Sequence, residues 1–165
     1  MNRLFEQVEI KNIKVKNRIA VPPMVVYKWS DDTGYVTQNN IDHYEAIAKG
    51  GTGLIIQEGT CVNKKGRLAD TQLGIWEDAQ VAGLKRIVEA VHRQGTPIFV
   101  ELHHAGVVGI AEEVVCPSDY ECMVKGQFKK GRALTIDELH EADWQPIQLF
   151  VDQQGKNQRA ACQRC

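Results

Sequence analysis

Glu101, His103 and His104 close a short apolar run, Pro97-Ile-Phe-Val-Glu-Leu-His-His-Ala-Gly106, and form a dense group of side chains able to hold or move a proton. If the run is a strand, alternation puts Glu101 and His103 on one face and His104 on the other. The two histidines then cannot chelate one metal ion together, and no metal site is expected. Glu101 and His103 can share a face, and this strand end is where a site is looked for first.

The elements that must position this group follow from the flanking pattern. Gly95-Thr96-Pro97 and Ala105-Gly106 bound the run, which reads as a strand buried on both faces. Arg18-Ile-Ala-Val-Pro-Pro-Met24 and Leu54-Ile-Ile-Gln-Glu58 are similar runs, each followed by a polar loop. The first must end at Pro22-Pro23, since proline donates nothing to a ladder. Between runs one and two, Thr37 caps a helix with Ile41, Tyr44, Ile47 and Ala48 at helical spacing, and Gly50-Gly51 stops it. Between runs two and three, a loop from Gly59 to Leu73 leads to a helix over 78–94 with Val81, Leu84, Ile87, Val88 and Val91 on one face. The order β-α-β-α-β with short joints calls for parallel strands and right-handed crossovers. In parallel α/β architectures ligands sit at the carboxyl ends of the strands, so three endings of one kind imply one shared rim.

Ahead of this unit, Leu4 to Lys16 alternates around Lys11-Asn12 as a small hairpin. After it, Val107 to Arg132 shows no clear periodicity and reads as a long loop with a turn at Pro117-Ser118 and no fourth strand. Thr135-Ile-Asp-Glu138 has the pattern of a capping box opening a helix. Pro146 interrupts that helix, and from Asp143 the chain is glutamine-rich with little apolar pattern.

The 165 residues fall within the range of one domain. A formal net charge of -1 argues against nucleic acid or an anionic membrane as partner. With no long apolar stretch, the chain is expected to be soluble and cytoplasmic. Five cysteines at irregular spacing are expected to be reduced, and the Cys162/Cys165 pair lacks the partners that zinc or redox chemistry needs.

Together, Leu4-Phe5, Lys16-Asn-Arg-Ile19, Pro23-Met24, Tyr27, Leu73-Gly-Ile-Trp76 and Leu102-His-His-Ala-Gly106 resemble the amino-terminal part of the Old Yellow Enzyme family of FMN-dependent ene-reductases, over about residues 4–138. The resemblance implies a partial (β/α)8 TIM barrel, its first three βα units preceded by the hairpin. It also implies FMN at the carboxyl ends of the strands, NADH or NADPH as electron donor, and an activated alkene as small-molecule substrate. Position by position it implies Pro22, Pro23, Met24 and Val25 against the flavin ring, Tyr27 facing substrate, Gly59 as a small residue near the ring, and Glu101 at the pyrimidine edge. Read alone, Pro22-Pro23 is also a strand stop, Tyr27 a hydrophobic cover, Gly59 a tight turn and Glu101 a solvated strand end.

This chain departs from the family at three positions: Glu101 replaces the usual glutamine, Val25 a cysteine or threonine, and Val107 a common arginine. The strand-four His pair, or His and Asn, and the later strands and short helix that cradle the FMN phosphate in the family are not found. The expectation is therefore a truncated or frame-shifted barrel, with residues 1–142 as family segment and 143–165 as a separate tail. The alternative is a non-catalytic fragment that folds only as a homo-oligomer, since an open parallel sheet leaves edges to pair.

Overall fold

A computed structural model describes residues 3–138 of the chain. After a short 3-10 turn at Arg3–Phe5, β1 (Val8–Ile10) and β2 (Ile13–Val15) pair antiparallel, with Val8 opposite Val15 and Ile10 opposite Ile13. Lys11 takes φ 53° in the expected turn between them.

β3 (Ala20–Val21), α1 (Gln38–Lys49), β4 (Leu54–Cys61), α2 (Val81–His92) and β5 (Ile98–His103) follow, and the strands form a parallel sheet in the order β3-β4-β5. β3 is shorter than the apolar run predicts because the ladder stops at Val21, where two successive residues without an N–H begin. The helices share one core with the sheet. Ile41, Tyr44 and Ala48 of α1 and Ile87, Ala90 and Val91 of α2 close over Ile55 of β4, Ile98 of β5 and Leu73. Asn40 steadies the start of α1 by accepting from the Thr37 amide at 2.9 Å. A 3-10 turn at Asp78–Gln80 precedes α2, which ends at His92, slightly short of its predicted span.

Two expectations are corrected here. β4 does not end at Glu58 but runs on to Cys61, and Gly59 lies inside it. Gln57 pairs with Val100 and Thr60 with Leu102, so the bulged strand spends one more residue than its partner across Glu58-Gly59. The second correction concerns 107–132, which is not an irregular loop. It carries β6 (Val114–Cys116), β7 (Tyr120–Val124) and β8 (Gln127–Ala133) in a separate sheet of order β6-β8-β7, with β6 and β8 parallel and β7 and β8 antiparallel. Lys125-Gly126 makes the two-residue turn of the hairpin, with φ 50° and 82°. The alternation signal was absent because both faces of β7 and β8 are largely solvent-exposed and carry Lys and Glu beside Tyr120, Met123 and Phe128. The capping box at 135–138 forms as expected, with the Thr135 amide donating to Glu138 Oε2 at 2.9 Å and the Glu138 amide to Thr135 Oγ1 at 3.2 Å. Pro146, the glutamine-rich stretch from Asp143 and the Cys162/Cys165 pair lie outside the described residues.

Candidate functional site

The segment 22–28, which leaves β3, is held over the sheet by two backbone amides. Val26 donates to Glu58 Oε2 at 2.8 Å, and Lys28 donates to Thr71 Oγ1 at 3.0 Å. Tyr27 sits between these anchors. Its side chain is 49% exposed and that of Met24 65%, while Pro23 and Val25 are half-buried and Pro22 is exposed. The Tyr27 hydroxyl has no hydrogen-bond partner among the described residues. Apolar and aromatic side chains of this kind are thus held toward solvent by fixed backbone rather than by their own packing.

Glu58, which fixes this segment, is fully buried. Its Oε1 lies 3.2 Å from the Tyr44 hydroxyl, which in turn accepts from the Glu58 amide at 2.9 Å. Burial pushes the carboxyl up to about 7, against the pull of the bonds from Val26 and Tyr44. The same burial, reinforced by the Glu58 charge, raises the Tyr44 phenol well above its ordinary range. One carboxyl group therefore ties the segment after β3 to the bulge of β4 and to α1.

Across the bulge, Gly59 meets β5. A Cβ at Gly59 would stand 3.3 Å from Glu101 Oε2 and equally close to Cβ and Cδ2 of His103. The absence of a side chain is what leaves these two groups room. Glu101 is exposed and His103 half-buried, on one face of β5 as alternation requires. His103 is joined to Gln72, whose Nε2 lies 3.1 Å from His103 Nδ1 and donates to the Gly59 carbonyl at 2.6 Å. His104 goes the other way, packed on Gly66 with its Nδ1 accepting from the Gly106 amide at 3.1 Å. Burial, and then the charge of His103, lower its pKa. No group of three or more His, Cys, Asp or Glu is placed to hold a metal among the described residues.

The structure thus brings Gly59 and Glu101 into contact and connects the Pro22–Tyr27 segment to them through Glu58. Glu58 and Gln72 were not singled out from sequence. A signal existed for Glu58, because Gln57-Glu58 inside a strand buried on both faces demands partners for its polar atoms. Gln72 offered none, since its bonds to the Gly59 carbonyl and to His103 join segments that only the fold brings near.

A parallel sheet in the order β3-β4-β5 with α1 and α2 packed against it fits a partial α/β barrel. The chain belongs to the NADH:flavin oxidoreductase / NADH oxidase family, whose model matches residues 3–161. It is 40% identical over 119 residues to an NADPH dehydrogenase of Listeria monocytogenes serotype 4a, aligning 72% of this chain with 35% of that protein. It is 41% identical over 155 residues to an NADH oxidase of Thermoanaerobacter brockii, covering 90% of this chain and 23% of the oxidase. The solved structure of morphinone reductase in complex with tetrahydroNAD superposes with a TM-score of 0.68 at 27% identity, over 84% of this chain and 44% of the reductase. The chain therefore spans about a third of the length of the curated NADPH dehydrogenase that it matches, 35%. No helix among the described residues is long and apolar enough to cross a membrane.

Proposed function

We propose that this chain is the amino-terminal portion of an FMN-dependent NAD(P)H oxidoreductase of the ene-reductase type, and that it holds the flavin ring over the carboxyl ends of β3, β4 and β5. The observation that carries the reading is the convergence at the bulge. Gly59 leaves a space bounded by Glu101 and His103, and Glu58 holds the Pro22–Tyr27 segment beside it. The donor set fits a planar heteroaromatic ring: Met24, Val25 and Pro23 offer apolar contact, Glu101 an acceptor at the edge, and Tyr27 a free hydroxyl for substrate. When bound, FMN supplies hydride chemistry between a nicotinamide donor and an activated alkene. The chain's own part is to orient the ring, to accept its N–H at Glu101 and to present Tyr27. An ionised Glu101 also disfavours negative charge on the reduced ring, so the site binds the oxidised form better.

The test is to purify the full chain, titrate it with FMN and follow visible absorption and NAD(P)H oxidation. A bound flavin spectrum with turnover is expected, and a colourless protein without turnover overturns the reading.

A second reading, a non-catalytic fragment that assembles as a homo-oligomer, draws on the edges of the parallel sheet. β3 and β5 are its outer strands, and β5 exposes Phe99 at 37% and Leu102 at 46%. Such an edge is a template for pairing with a second chain. Light scattering distinguishes the cases, since a well-folded monomer removes the need for assembly.

A further inference from the structure

Glu101 and His103 form a second relationship on the rim, deeper than the family likeness and resting on the flavin reading above. They occupy alternate positions of β5 and flank the same point above Gly59, at 3.3 Å each. Glu101 has no hydrogen-bond or ion-pair partner among the described residues. An ionised carboxylate only accepts hydrogen bonds, so what His103 offers decides what the pair recognises.

Gln72 settles that. Its side chain is fully buried, and its amide orientation is dictated by two backbone groups. Oε1 accepts from the Leu68 N–H at 2.7 Å, and Nε2 donates to the Gly59 carbonyl at 2.6 Å. A flipped amide would set oxygen against carbonyl and NH2 against N–H, losing both bonds. The second N–H of Nε2 therefore faces His103 Nδ1, 3.1 Å away, and Nδ1 must accept. A neutral imidazole then carries its proton on Nε2, which has no protein acceptor among the described residues. The rim presents the Glu101 acceptor beside a donor whose proton Gln72 fixes.

That pattern is the complement of a cyclic imide, in which a ring N–H stands next to a carbonyl oxygen. A carboxylate alone would meet the N–H but set its negative charge against the neighbouring carbonyl, and the His103 N–H meets that oxygen instead. We propose that Glu101 and His103 act as an acceptor–donor pair for the imide edge of the flavin ring, with Gln72 as the positioning residue that holds His103 in the donor tautomer.

Two measurements on the full chain test this. Long-range 1H–15N correlation spectra at a pH where the imidazole is neutral, assigned by loss of the signal in His103→Phe, should show His103 protonated on Nε2. The Nδ1–H form, or an averaged pattern, overturns the proposal whether or not flavin binds. FMN titrations of the wild type, His103→Phe and His103→Phe/Glu101→Gln form the second arm. Loss of the donor should weaken binding about tenfold, the scale of one hydrogen bond to a buried edge. The added glutamine, which brings its own N–H, should recover most of that loss. Flavin binding by the wild type without this recovery overturns the pair and leaves the flavin reading standing. Absence of FMN binding by the wild type overturns both.

Discussion

The amide of Val26 donates to Oε2 of Glu58 across 32 residues of sequence, at 2.8 Å. This one bond fastens the segment after β3 to a carboxyl group buried in the bulge of β4.

Burial of that carboxyl, working against the pull of the Val26 bond, makes stability depend on pH. The unfolded chain ionises Glu58 near the ordinary 4.5, whereas the folded chain resists until about 7. Over that interval the unfolded state sheds its proton first, so stability falls as pH rises and levels off above about 7. The full loss is on the order of 3 kcal/mol. Urea melts at several pH values should show this slope in the wild type and a flattened one in Glu58→Gln; parallel profiles would mean Glu58 is not the group responsible.

A side chain at the bulge should interfere with the site more than with the fold. In Gly59→Val the branched group must enter the space held by Glu101 Oε2 and His103, both 3.3 Å from the first added carbon. Glu101 is exposed and can swing away, so a stability loss of about 1–2 kcal/mol is expected. FMN binding should suffer far more. Equal affinity in the flavin titration would show that the ring does not lie over Gly59.

Replacing Glu101 by glutamine should make bound flavin easier to reduce. Removing a negative charge at the ring edge takes away a repulsion that grows on reduction, worth on the order of tens of millivolts at the effective dielectric of a partly buried site. Spectroelectrochemical titration of wild type and Glu101→Gln reads the shift directly, and a lower potential in the variant would place the carboxylate elsewhere.

Trp76 gives a check on the loop between β4 and α2. A Cβ at Gly34 or Gly74 would run into its ring, the Gly74 amide donates to the Gly34 carbonyl at 2.9 Å, and the Arg67 guanidinium stands 5.6 Å from the ring centroid. Gly74→Ala should therefore displace the indole and cost about 1–3 kcal/mol, with a shift in tryptophan emission. An unchanged melt and emission spectrum would show that the ring moves aside freely.

The core makes the plainest forecast. Ile87 of α2 is fully buried between α1 and the sheet, and Ile87→Ala should cost about 2–5 kcal/mol in denaturant unfolding. A loss below 1 kcal/mol would mean that α2 does not close the core as described.

The sequence by itself determined the parallel unit, because the signals involved are local. Period-3.6 apolar positions such as Leu84, Ile87 and Val91, glycine stops at 50–51 and 95, and prolines at 22–23 all act on their own neighbours. The first hairpin and the Thr135/Glu138 cap were legible on the same ground. The strands of 114–133 were not, since their faces are exposed and charged side chains dilute the alternation. The site divided in the same way. Glu101 and Gly59 could be named from motifs, and alternation alone set His103 beside Glu101. Only tertiary structure decided that Gly59 sits in a bulge facing them, that Glu58 reaches Val26, and that Gln72 fixes the proton on His103. Each of these is a bond between segments distant in the chain, and its existence depends on where the folded backbone brings an amide or a carbonyl, which no local pattern encodes.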